Sequence, residues 1–176
     1  MKSYRLLTAL LFLSLSTSLL ADKTAGQHVD DSMVQAKVKT ALMGDDFFGG
    51  AGINIEMHKG IVQLGGWVDS EEAAAAAGDK AAAVEGVKKV DNQLHAKQGE
   101  ATMGQSVDDG VITTRVKSAI GGEDLGTGFN VNVDTYNGIV LLTGFVGSKE
   151  VKEKAGQLAE GVENVEGVIN GVYVSD

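Results

Sequence analysis

The chain has 176 residues, 15 basic and 24 acidic side chains, a formal net charge of −9, no cysteine, no proline and 24 glycines. The lack of cysteine excludes disulfides, thiolate metal sites, thiol nucleophiles and lipid-modified cysteines. The acidic balance argues against a nucleic-acid partner, because affinity for phosphate backbones rests on clustered Lys and Arg.

Residues 1–21, MKSYRLLTALLFLSLSTSLLA, read as a secretory signal peptide. Lys2 and Arg5 give a positive start, Leu6–Leu20 form the apolar stretch, and cleavage is expected after Ala21. The stretch is 15 residues long, short of the ~20 that span a bilayer. The expected location is the periplasm, as a free protein and not a lipoprotein. Removing this segment leaves 13 basic and 24 acidic residues, a net charge of −11.

The remainder is one unit written twice. Offset by 78 positions, residues 22–98 align with 100–176 without a gap, and 29 of the 77 pairs are identical. That repeat defines a first domain at 22–98, a linker at 99–107 and a second domain at 108–176.

In each unit the first helix is predicted to open at an aspartate N-cap, Asp30 or Asp31, and to end near Met43. Val34, Val38, Ala41 and Leu42 share one face, as do Ile112, Val116, Ala119 and Ile120. Gly44 and Gly122 are the stop signals. Two alternating strands follow, at 53–58 with 61–68 and at 131–136 with 139–146, joined by Lys59-Gly60 and Asn137-Gly138. Asn-Gly is a strong hairpin signal because both positions tolerate positive φ.

The second strand of each hairpin is apolar on both faces. Val62, Leu64, Gly66 and Val68, repeated as Val140, Leu142, Gly144 and Val146, are assigned to the core. Ile61, Gln63, Gly65 and Trp67, against Ile139, Leu141, Thr143 and Phe145, form the other face. A second helix begins after Ser70 and Ser148, and a last strand covers 87–97 and 165–175 with Asn92 and Asn170 facing inward. The fold class is α+β: two tandem αββαβ domains, each a small mixed three-stranded sheet with two helices on one face. The other sheet face is expected to be open.

This duplicated unit resembles the BON domain. The likeness rests on Asp31, Val38 and Ala41-Leu42, on the glycine-rich block from Gly60 to Val68, and on Gly86-Val87, Val90, Asn92 and Leu94. The second copy carries the matching Asp109, Val116, Ala119-Ile120, Gly138 to Val146, Val165, Val168, Asn170 and Val172. The resemblance implies an envelope protein concerned with membrane integrity or stress, in contact with phospholipid or outer-membrane proteins, with no catalytic residues and no cofactor. Its lipoprotein members carry an anchoring cysteine that this chain lacks.

The residues support no enzyme. His28, His58 and His95 align with Ser106, Tyr136 and Tyr173, so the copies share no histidine. The glycine-rich loops lack a P-loop lysine. Asp30-Asp31 and Asp45-Asp46 match no calcium loop. The candidate lipid or partner contacts are Phe47-Phe48 on a glycine-rich loop, and Trp67, Phe145, Ile61, Ile139 and Leu141 on the outer sheet face. That face could equally pack the two domains together. Gly60, Gly66, Gly138, Gly144, Asn92 and Asn170 are structural positions of the repeat. Two functions follow: reversible binding to phospholipid surfaces or outer-membrane proteins in envelope stress, or a soluble holdase for unfolded outer-membrane proteins.

Overall fold

The computed structural model describes residues 23–43, 52–123 and 130–175, with side chains described from Asp31 onward. The predicted signal segment and Phe47-Phe48 lie outside the described residues. The elements are α1 (Lys23–Met43), β1 (Asn54–His58), β2 (Ile61–Val68), α2 (Glu71–Ala82), β3 (Lys89–Ala96), α3 (Met103–Gly121), β4 (Asn130–Tyr136), β5 (Ile139–Val146), α4 (Lys149–Glu160), β6 (Gly167–Asn170) and β7 (Tyr173–Val174). The expected α+β order therefore occurs twice.

Each sheet is mixed. β1 runs antiparallel to β2, and β3 parallel to it. β4 and β5 repeat the hairpin, while β6 and β7 are two pieces of one strand position parallel to β5. The break falls at Gly171-Val172, where the Gly171 amide still donates to Leu142 O at 2.9 Å. Both hairpin turns have two positive φ values, Lys59 at 50° with Gly60 at 83°, and Asn137 at 48° with Gly138 at 76°. These values suit a two-residue turn that matches strand twist.

The core sits between the helices and the inner sheet face. Val38, Leu42, Val62, Leu64 and Val68 form one centre, and Val116, Val140, Leu142, Val146 and Val172 the other. Each fully buried Val or Leu contributes about 1.5–3 kcal/mol. The alanines Ala73, Ala74, Ala77 and Ala81 let α2 lie close to its sheet. Gly66 and Gly144 have φ of 134° and 124°. A Cβ there would run into the carbonyl oxygens of Gly52 and Asn130. Ser70 and Ser148 cap α2 and α4, accepting the amides of Ala73 at 3.1 Å and Val151 at 3.3 Å.

Three features differ from expectation. Neither first helix starts at its aspartate: α1 begins at Lys23 and α3 at Met103. Thr102 and Gln105 close a capping box on α3, so residues 103–107 of the predicted linker are helical. The aspartates have another role. Asp31 accepts the amides of Lys59 at 2.8 Å and Gly60 at 3.0 Å, and Asp109 those of Asn137 and Gly138, both at 2.8 Å. One carboxylate thus ties each first helix to its hairpin turn. Thirdly, the outer sheet faces are not open, as described next.

Candidate functional site

The outer face of β2 lies against the outer face of β5, and the two domains bury these faces on each other. Gln63 is 1% exposed, Leu141 1%, Thr143 2% and Phe145 8%. Leu141 and Phe145, expected as lipid or partner contacts, meet the other domain here. Trp67, Ile61 and Ile139 stay partly exposed at the margins. The physical reason is the continuous apolar character of β2 and β5: a strand apolar on both faces needs cover on both.

The contacts come in pairs related by the repeat, as in an isologous dimer. Trp67 packs on Tyr136 with ring centres 5.6 Å apart, and its counterpart Phe145 packs on His58 at 5.5 Å. Within the domains, Trp67 meets His95 at 5.8 Å and Phe145 meets Tyr173 at 5.5 Å. Asn54 donates to Asp134, and the equivalent Asn132 donates to Glu56 at 3.1 Å. Burial raises the Asp134 carboxyl above its ordinary value, against the opposing pull of the Lys117 ammonium and the Asn54 amide. The indole Nε1 of Trp67 and Nε2 of His95 are buried without a hydrogen-bond partner.

At the centre the pairing breaks, and the differences fit each other. Gln63 stands where the second copy has Leu141. Its Nε2 donates to Asp91 Oδ2 at 2.6 Å and across the interface to Gly171 O at 2.8 Å. Its Oε1 accepts the Gly144 amide. Gly65 leaves the space that Thr143 fills, since a Cβ there would lie 2.6 Å from Thr143 Cγ2. Gly171 leaves similar space for Gln93. The differences between the copies at 63/141 and 65/143 carried this signal in the sequence, but only once the two faces were known to meet.

Asn92 and Asn170 bridge strand to helix. Their Nδ2 groups donate to Ala74 O and Lys152 O, both at 2.8 Å. Gly78 and Gly156, mid-helix glycines shared by the copies, make the room.

The large apolar side chains left exposed among the described residues lie elsewhere. Met33 and Met43 are on α1, and Met103, Val107 and Val111 on α3. The last three recur every four residues along one side of the helix, with Met103 87% and Val107 63% exposed. Among the described residues no three His, Cys, Asp or Glu side chains assemble as a metal site, and no helix is long and apolar enough to cross a membrane.

Two mixed sheets, each with two helices on its inner face and a glycine-shaped hairpin, define a tandem α+β binding fold. The BON domain profile matches residues 30–98 and again 108–176, and the chain belongs to the BON domain family. It is 32% identical over 146 residues to osmotically-inducible protein Y of Escherichia coli, covering 82% of this chain and 73% of that protein. It is 33% identical over 148 residues to a 21 kDa hemolysin of Actinobacillus pleuropneumoniae, covering 83% and 73%. A shorter match of 75 residues, 39% identical, relates it to the outer membrane lipoprotein DolP of Haemophilus influenzae, over 42% of this chain and 39% of that one.

Proposed function

We propose that the protein is an exported, non-catalytic envelope-stress protein that binds phospholipid surfaces reversibly. The observation that carries this reading is the exposed apolar row Met103, Val107 and Val111 on α3. The inner and outer sheet faces are both occupied, so this row is the apolar surface left to meet an interface. Kinship with an osmotically inducible protein and with an outer membrane lipoprotein supports the envelope setting. The net charge of −9 favours contact through apolar side chains over attraction to anionic headgroups.

The test is co-sedimentation with vesicles of phosphatidylethanolamine and phosphatidylglycerol. Binding that persists at high salt and falls several-fold in Met103→Ser/Val107→Ser supports the proposal. Absence of binding to any vesicle overturns it. A holdase reading is favoured by a different observation: β1 and β3 are the outer strands of the first sheet, available for pairing with an extended client. Suppression of aggregation of a denatured outer-membrane protein, without vesicle binding, would select that reading.

A further inference from the structure

The two copies differ most in chemistry at one place: the end of the domain where the hairpin turn, the first helix and the loop before the last strand meet. In the first domain this is a cleft of about 420 Å³ lined by Asp31, Met33, Val34, Lys37, Lys59, Gly60, Glu85, Gly86 and Lys88. Three ammonium groups face two carboxylates. Asp31 is committed to the turn amides of Lys59 and Gly60. Glu85 reaches only Lys37, at 4.0 Å, with its side chain 96% exposed. A pair that open contributes little and leaves the lysine charge available.

The second copy lacks this set. Lys37, Lys59 and Lys88 become Arg115, Asn137 and Glu166, while Asp109 and Glu163 keep both acids. The shared fold therefore does not need the lysines. Arg115 is also held closer to its acid, at 3.2 Å from Glu163. In the first copy the stem of Lys88 lies across Gly60, with its carbons 2.7–3.0 Å from where a Cβ would stand. Glycine at 60 thus lets the Lys88 chain lie over the turn. Met33, 57% exposed, lines the same cleft.

We propose that this first-domain cleft binds a phosphate ester anion between Lys37, Lys59 and Lys88, with Met33 beside it for an attached apolar group. A glycerophosphate and the headgroup of phosphatidylglycerol share this chemistry. The membrane reading above enters only where the headgroup is the source.

The test is an amide NMR titration of the protein with inorganic phosphate, with glycerol phosphate and with monomeric dihexanoyl phosphatidylglycerol. Saturable shifts at Gly60, Gly86 and Lys88 are expected, and Lys37→Gln/Lys88→Gln, which keeps the apolar stems, should weaken binding roughly thirtyfold. Shifts with all three ligands identify a phosphate site. Shifts with the lipid alone identify a headgroup site that also uses Met33, and Met33→Ser should then remove them. No saturable shift, or shifts that survive the double substitution, would overturn the proposal. Soluble phosphate decides the cleft and vesicle sedimentation decides the function proposed above, so either can fail without the other.

Discussion

Gln63 of the first domain holds the main chain of the second, its amide nitrogen 2.8 Å from Gly171 O and its amide oxygen accepting the Gly144 N–H. A buried polar side chain in a sheet-to-sheet interface is tolerable only when its bonds are made, and here its donors and acceptor are used on both sides. Replacing Gln63 with Leu, the residue of the second copy, keeps the volume and strands the Gly144 amide and the Gly171 carbonyl. Each buried orphan costs about 1–3 kcal/mol, so Gln63→Leu should destabilise by about 3 kcal/mol. Urea unfolding followed by Trp67 fluorescence measures this. Unchanged stability would show that the two sheets are not docked through Gln63.

Gly65 and Thr143 test the same docking by shape. A Cβ at 65 falls 2.6 Å from Thr143 Cγ2, so Gly65→Ala must push the sheets apart or displace Thr143. Overpacking of this kind costs about 1–3 kcal/mol. In Gly65→Ala/Thr143→Gly the added methyl finds the vacated space. The double-mutant cycle is expected to show favourable coupling of at least about 1 kcal/mol. Additive effects would place the two residues out of contact.

What could be read in advance divides along local and non-local lines. Helices, hairpins, serine caps and the core stripe of β2 and β5 follow from residue spacing within one unit, and they are present in the structure. The aspartates at 31 and 109 were legible as helix-start residues because Asp commonly caps. Their real partners lie 28 and 29 residues away in a turn, a distance that no local rule reaches. The outer face was legible as apolar, but its occupant was not. Gln63 looks like an ordinary polar strand residue until the second domain is laid against it. The lysine cleft was hidden for the same reason, since Lys37, Lys59 and Lys88 come from three separate segments.

The aspartate ties make a prediction graded by burial. Asp109 is 7% exposed, whereas Asp31 is half-buried. Hydrogen bonds to a charged group are worth about 1.5–3 kcal/mol, more in a dry site. Asp109→Ala should therefore cost about 2–3 kcal/mol and Asp31→Ala about 1 kcal/mol. Hydrogen exchange at the amides of Gly138 and Gly60 should accelerate in the respective variants. Equal losses would assign the aspartates a role other than holding the turns.

Asp134 gives the interface a pH dependence with a definite sign. Burial raises its folded-state value above the ordinary 3.8, with Lys117 and Asn54 opposing. A carboxyl raised on folding binds its proton more tightly in the native state. Its favourable contribution is complete below the unfolded value and is lost as pH rises through the folded one. At neutral pH the charged form is the less suited to this site. Asp134→Asn keeps an oxygen for Asn54, so it should raise the melting temperature at pH 7 and leave it unchanged near pH 3. A fall at pH 7 would mean that the Lys117 attraction outweighs burial.

Gly156 offers a substitution whose sign is opposite to that of helix propensity. In an exposed helix interior Gly→Ala stabilises by about 0.8–1.0 kcal/mol. In α4 the new Cβ would lie 2.8 Å from Asn170 Nδ2, the atom that donates to Lys152 O. The methyl cannot coexist with that bond, and displacing Asn170 also loosens its acceptor contact with Val172 N. The lost bonds and the strain exceed the propensity gain, so Gly156→Ala should destabilise by about 1–2 kcal/mol. In Gly156→Ala/Asn170→Ala the clash disappears and the propensity gain returns, making the double variant more stable than Asn170→Ala alone. Thermal unfolding of the three variants decides it. A stabilised Gly156→Ala would show that α4 has room for the methyl, and that the glycine shared by both copies is not there to seat the asparagine.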